Sequence, residues 1–479
     1  MSEHPPGTDT GLLSTVRAGA PVEAAVSDEA WLQAMLDAEA ALARAQARLG
    51  FVPGSAAEAI TEVTRDARLD PVSLARRARN AANPVVALVA DLTERVAAYA
   101  PEAADHVHRG STSQDIMDTA AMLVAGRAVA LVRADLRRVV AALASLAAEH
   151  RDTVMSARTL TQHAVPTTFG LKAAGWMCAV DDADRRLAAA ASALPVQLGG
   201  AAGTLSAYHE FALADGVPAH DGTPAALALV RAFADETGLA EPLLPWHTSR
   251  APFVALGNEL AIVAGALGKF GLDVQNMTRT EVGEGLEPAG EGRGASSAMP
   301  QKRNPVLASL LVSAALQVPA YVSVLARCML AEDERPGGAW QAEWQPLREV
   351  LRLAGGSART AAELAEGLVP LPDRMWANTG TTEGRILAER LAVRLTAELG
   401  RVRAKRCVTR IAHKASADGV PFAQAVALDP ELGTLLAAHP LEDLLDPRRY
   451  LGVAGALVDR ALRHVDGPAT GPAPEAGAG

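Results

Sequence analysis

Aromatic residues are scarce in this chain, at 4% of 479 positions. Cysteine is scarcer, with only Cys178, Cys328 and Cys407, far apart. An odd, scattered set supplies neither a disulfide framework nor a zinc site, and reads as free thiols in a reducing cytoplasm. The opening residues MSEHPPGTDTGLLST lack a basic stretch followed by an apolar one, so no signal peptide is expected. Every apolar run of ~18 residues reads as broken by a charge or a helix breaker, so no membrane span is expected. No strand-like alternation of useful length appears. Basic excess is also lacking, since 45 Lys and Arg against 55 Asp and Glu leave a net charge of −10. With a pI near 5.6, such a chain is a poor general binder of nucleic acid or anionic membranes. A local basic pocket for one anionic substrate stays open.

What is present is a soluble, globular balance of 49% hydrophobic and 21% charged residues. The length allows about three domains, and abundant alanine, the best helix former, predicts an all-α fold. Residues 1–26, punctuated by Pro and Gly, read as a loose arm. Ser27 and Asp28 offer an N-cap for a helix that Gly50 ends. Short helices broken at Pro53, Pro71, Pro84 and Pro101 complete a first domain, 1–110. A central domain, 111–365, carries long helices. The clearest runs from about 253 to 280, with Leu256, Leu260, Val263, Leu267, Phe270, Val274 and Met277 spaced as a heptad seam. Another covers Asp118 to His150, with Leu136, Val140 and Leu143 on one stripe. Residues 366–466 return to shorter helices, turning near Pro370, Pro421 and Pro440. Residues 467–479 read as a disordered tail.

Three polar segments interrupt this helical background. The first, 108–115, holds His108, Arg109, Ser111, Thr112, Ser113, Gln114 and Asp115 ahead of a long helix. Hydroxyls and backbone N–H groups at a helix N-terminus suit an anion, although one of them serves equally well as a plain cap. The second, 158–168, contains Thr159 and His163. The third begins with 281–294, which hold five glycines, a composition typical of a mobile lid. It leads into Ser296, Ser297, Lys302 and Asn304. A serine acts as a base only when its alkoxide is stabilised, which backbone N–H groups and a nearby Lys302 can do. No phosphate loop, dinucleotide fingerprint, H-E-x-x-H pair or G-x-S-x-G elbow occurs. Neither a metal nor a cofactor is expected.

GASSAMPQKRNP resembles the signature loop of the aspartase/fumarase superfamily, and HRGSTSQDIMDT and RTLTQHAVPTTFG resemble its other two active-site segments, in order. Within the superfamily the chain looks most like bacterial 3-carboxy-cis,cis-muconate cycloisomerases, through WLQAMLDAEAALARAQARLG, PWHTSR and DPRRYLGVAGALVDRA. The resemblance implies a three-domain all-α fold with an elongated central bundle. It also implies a homotetramer whose active sites each combine three subunits. The implied chemistry is anti-elimination beside a carboxylate, through an aci-carboxylate intermediate. It assigns Ser296 as base and places Lys302 and Asn304 on substrate carboxylate oxygens. Thr112 and Ser113 hold a second carboxylate with Gln114 beside them, Thr159 lies against the same site, and Arg335 pairs with substrate anions. Asn80 is carried over from the first domain.

The departures matter as much. Fumarases and adenylosuccinate lyases place an acid His directly after the Arg-Thr pair, where this chain has Leu160. His163 or His108 would have to replace it. Gln301, Asp333 and Gln341 stand where the cycloisomerases usually have His. These changes favour a small dicarboxylate whose leaving group needs no proton. Nitrosuccinate, giving fumarate and nitrite, fits. Three other readings remain: cycloisomerisation of a 3-carboxymuconate tricarboxylate, an adenylosuccinate-lyase-like reaction, and a non-catalytic structural protein such as some lens crystallins.

Overall fold

The computed structural model describes residues 9–290, 292–294, 299 and 302–466. The predicted base Ser296, the departure at Gln301 and the predicted tail 467–479 lie outside the described residues. The described chain is built mainly of α-helices, as expected. Contacts divide it into two compact units. One comprises Met1–Leu136, Asp182–Gly268 and Leu310–Thr360, and the other Arg137–Asp181, Lys269–Ser309 and Ala361–Gly479.

Local signals account for most elements. Ser27 Oγ accepts from the Ala30 N–H and opens the helix Asp28–Leu49, which ends on Gly50 in the left-handed region at φ 85°. Prolines 53, 71, 84 and 101 stand at the cap or first position of the next four helical segments. They start helices rather than break them, because a first-turn N–H has no partner to lose. The heptad seam lies on the helix Ala251–Met277, and all seven of its residues are buried. The other long helix runs Ser113–Glu149, with Leu136, Val140 and Leu143 buried. In the second unit, Leu391, Leu395, Val408, Ile411 and Phe422 form a separate apolar core.

Three expectations need correction. The stretch before residue 27 is not loose over its described part. Val16, Val22 and Val26 are buried, and a Cβ on Gly355 would lie 2.6 Å from Val22. Arg17, also buried, holds Asp9 and Glu23. Second, strands do occur: β1 (Val154–Thr159) and β2 (Gln162–Thr168) form an antiparallel hairpin. Its two turn residues, Leu160 and Thr161, both have positive φ, which neither side chain advertises. A register shift between Ser156 and Arg158 also disturbs the alternation. Third, Pro319 does not end its apolar run but sits inside the continuous helix Val306–Arg327. Buried Leu311, Ala314, Val318, Val322 and Leu325 pack one face on both sides of it. This helix and Ala251–Met277 are therefore long and apolar enough to cross a bilayer by length and composition, and each also buries a face inside the chain.

Candidate active site

The first unit carries the first polar segment. Its capping question is answered by Asp115, which is fully buried. One carboxylate oxygen accepts from the Thr112 N–H at 3.2 Å and the Gly200 N–H at 3.0 Å. The other accepts from the Gly199 N–H at 2.9 Å and lies 2.8 Å from His247 Nε2. The helix start is thus closed by a carboxylate inside its own first turn. The side-chain hydroxyls of Thr112 and Ser113 make no hydrogen bond among the described residues and face no competing role as caps. His108 Nδ1 lies 2.6 Å from the buried Glu39 carboxylate. Burial alone would pull the imidazole down, but Glu39 outweighs it and holds His108 above its ordinary value.

Behind this segment lies a buried ionic cluster. Arg250, 1% exposed, is gripped by Asp118 at 2.7 and 3.0 Å and by Glu343. Its guanidinium also stacks near Trp246 and Phe253, 4.7 Å from each ring centre. Asp118 accepts further from Trp340 Nε1 at 3.0 Å and Gln197 Nε2 at 3.2 Å. Burial pushes the Glu343 carboxyl up to about 7, with Arg250 pulling against that rise. PWHTSR therefore has a definite place: His247 and Arg250 hold the acids of the long helix, and the Trp246 ring lies against the Arg250 guanidinium.

Gln114 connects this cluster to the predicted anion-pairing arginine. Its side chain is fully buried, and Nε2 donates to Asp118 at 3.2 Å and to the His247 carbonyl at 2.9 Å. Its Oε1 accepts from Arg335 Nε at 2.9 Å. Arg335 donates also to the Ala201 carbonyl at 3.2 Å, and among the described residues it has no carboxylate partner. Two neutral acceptors thus orient a cation and leave its charge uncompensated. Asn80 is exposed, in the turn after the helix Pro71–Ala78. Gln341 joins the neighbouring loop, accepting from the Gly338 N–H at 3.1 Å and donating to the Ala82 carbonyl at 3.4 Å. Asp333 is exposed at φ 51°.

The second unit carries the other two segments. Thr159 is exposed at the end of β1, and Leu160 is 96% exposed at the hairpin tip. Beneath the tip, Arg158 makes two bonds, at 2.9 and 2.8 Å, to the fully buried Glu284 carboxylate, which also accepts from Asn378 at 2.8 Å. His163 pairs across the strands with Arg158. Burial, and then the Arg158 charge, hold its imidazole below the usual value. Its Nδ1 is buried with no partner among the described residues. Lys302 is exposed, without an ion pair among the described residues. Asn304 is fixed by its backbone, its N–H donating to the Gly294 carbonyl at 3.0 Å. Gly294 is required there: its φ is +67°, and a Cβ would lie 2.7 Å from the Asn304 carbonyl oxygen. Glu287 caps the following helix, accepting from the N–H groups of Leu307 and Ala308.

The first-segment residues, Asn80 and Arg335 thus belong to one unit, and Thr159, His163, Lys302 and Asn304 to the other. Among the described residues no cluster of three or more His, Cys, Asp or Glu is placed to hold a metal. Sequence reasoning assigned no role to Asp115, Glu39, His247, Arg250 or Glu343. Their partners lie up to 132 residues away in the chain, and no local spacing reports such a pair. The available signals were the quoted motifs, SQDIMD and PWHTSR, without their pairing.

Comparison with known proteins adds a second line of argument. The chain matches a family model described as "Lyase" over residues 18–320, and one described as "Adenylosuccinate lyase C-terminus" over residues 384–461. It is 60% identical to a nitrosuccinate lyase of Streptomyces davaonensis, over 96% of this chain and 95% of that protein. It is 43% identical to a 3-carboxy-cis,cis-muconate cycloisomerase of Pseudomonas aeruginosa, over 92% and 94% of the two chains. Among solved structures, the 3-carboxy-cis,cis-muconate lactonizing enzyme of Pseudomonas putida superposes with a TM-score of 0.86 at 37% identity, covering 95% of this chain and 99% of that one. Helical architecture, motifs in order and likeness over nearly the full length agree, and the chain belongs to the aspartase/fumarase superfamily as one of its lyases.

Proposed function

We propose that this lyase eliminates nitrite from nitrosuccinate to give fumarate. The observation that carries the reading is the 60% identity to a nitrosuccinate lyase across both chains. The chemistry of Leu160 supports it independently. An apolar side chain occupies the place of the acid His, and nitrite departs as a stable anion that needs no proton.

In this reading Ser296, as an alkoxide, takes the proton from the carbon beside a carboxylate. The C–H electron pair moves into that carboxylate to form the aci-carboxylate. It returns to make the C=C bond as the C–N bond breaks, and its electrons leave with nitrite. Lys302 and the Asn304 amide bear on the carboxylate that gathers charge, where fixed donors and a cation act most strongly. Thr112, Ser113 and the uncompensated Arg335 hold the second carboxylate. Gln114 acts by orienting Arg335, while Thr159 and Asn80 border the substrate. Glu39 favours the charged form of His108 beside the first segment, and burial with Arg158 favours the neutral form of His163, which suits it to accept rather than donate.

The reading includes a cytoplasmic homotetramer with each site assembled from three subunits. Exposed apolar side chains on the long helices, Ile262, Leu272 and Leu316, suit burial against other copies. Free Cys178, Cys328 and Cys407 suit a reducing compartment. A monomer in light scattering would remove the composite site. The deciding experiment is a parallel assay. Nitrosuccinate, generated in place, is followed as nitrite and fumarate, and 3-carboxy-cis,cis-muconate as loss of ultraviolet absorbance. Equal amounts of nitrite and fumarate are expected. Consumption of the muconate alone would replace this reading with cycloisomerisation.

A further inference from the structure

A cavity of about 280 Å³ lies within the first unit, walled by Trp31, Leu32, Met35, Leu74, Met117 and Trp344. All but Trp344 are buried. The space opens to solvent as a cleft, and a cleft lined by apolar and aromatic side chains with a few polar groups is the usual form of a ligand pocket. The volume is at the small end of the ~300–1,000 Å³ range of ligand pockets, which limits an occupant to one compact ring system. Two indoles and two thioethers present flat, polarizable surface, which suits an aromatic ring.

The charge of the occupant follows from Arg348, which also lines the cavity. Its guanidinium lies 5.8 Å from the Trp31 ring centre and pairs with Asp28 at 2.7 Å. The Asp28 side chain is 68% exposed and that of Arg348 only 18%. An ion pair whose acid stands in water is weak, so an incoming carboxylate can take its place on the guanidinium. The indole N–H groups of Trp31 and Trp344 are also buried without an acceptor among the described residues. Of the residues proposed to hold substrate, none lines this cavity, whereas Gln341, one of the departures from the cycloisomerases, does.

We infer that this cavity is a binding site for a small aromatic monocarboxylate, its ring against Trp31 and Trp344 and its carboxylate on Arg348. The inference does not depend on the identity of the leaving group. The test is isothermal titration of the full chain with 1-naphthoate. One site per chain is expected, roughly tenfold weaker in Arg348→Met. Binding is expected to vanish in Ala75→Trp, which fills the cavity from the helix Pro71–Ala78, while lyase turnover persists. Met35→Trp serves as a second filler should Ala75→Trp melt early by circular dichroism. Absence of binding up to about 5 mM overturns the inference. So does unchanged affinity in a folded filler variant, displacement of naphthoate by fumarate, or equal affinity for the neutral 1-naphthylmethanol.

Discussion

Gln114 Oε1 accepts a hydrogen bond from Arg335 Nε at 2.9 Å, so a fully buried neutral amide aims a half-buried cation. Gln114→Met keeps most of the volume but releases that aim. Because Arg335 is proposed to hold the substrate in both ground and transition states, KM should rise about tenfold with a smaller change in kcat. Steady-state kinetics check this. An equal fall in kcat with KM unchanged would assign Gln114 to the chemical step.

Ser296→Ala should lower kcat by at least ~10²-fold if the serine supplies general-base catalysis. Stopped-flow or fixed-time nitrite release measures it, and full activity would remove the proposed mechanism.

Leu160→His tests whether the leaving group needs a proton. For nitrite, the new imidazole should leave kcat close to that of the parent. An amine or alkoxide leaving group would instead recover part of the ~10²–10⁴-fold that a general acid supplies. The discriminating measurement is turnover of the variant on nitrosuccinate and on an amine-substituted succinate side by side.

The 2.6 Å contact between His108 and Glu39 holds the imidazole above its ordinary value. A raised histidine stabilises the folded state fully below its unfolded value of about 6.5 and loses that contribution as pH climbs through the folded one. Glu39→Gln should therefore lower Tm more at about pH 6 than at about pH 9. Histidine resonances followed by NMR should show His108 titrating at lower pH in the variant.

Glu343 responds in the same direction, over a lower pH window. Its carboxyl, raised from 4.5 to about 7 by burial, keeps in the folded state a proton that the unfolded chain has already lost. Stability from this group therefore falls as pH rises through that window. Glu343→Gln should flatten the dependence of Tm on pH between those values. Glu343→Ala, which leaves Arg250 short of a partner, should destabilise by ~3–5 kcal/mol.

How much of this was legible in the sequence depends on the range of the interaction. The cap at Ser27, the stop at Gly50 and the seam from Leu256 to Met277 are set by neighbours within a few turns, and all three stand. The hairpin was hidden because its turn uses Leu160 and Thr161, whose side chains do not announce positive φ. Pro319 misled because packing on both sides carries the helix through the residue that opposes it. The first-segment hydroxyls were recognisable, but their availability rests on Asp115 closing the helix. The partners of Asp115 come from positions 199, 200 and 247, which no spacing rule connects to it.

The Asp118–Arg250–Glu343 triad constrains how this chain can diverge. Each member, altered alone, leaves a buried charge short of a partner. The path to another arrangement therefore runs through destabilised intermediates, and a change at any one of the three positions carries a cost. Leu160 and Asp333 are exposed and Gln341 half-buried, so these can be exchanged one at a time within an intact fold. Such a scaffold can accumulate exchanges at exposed positions while this buried triad stays fixed.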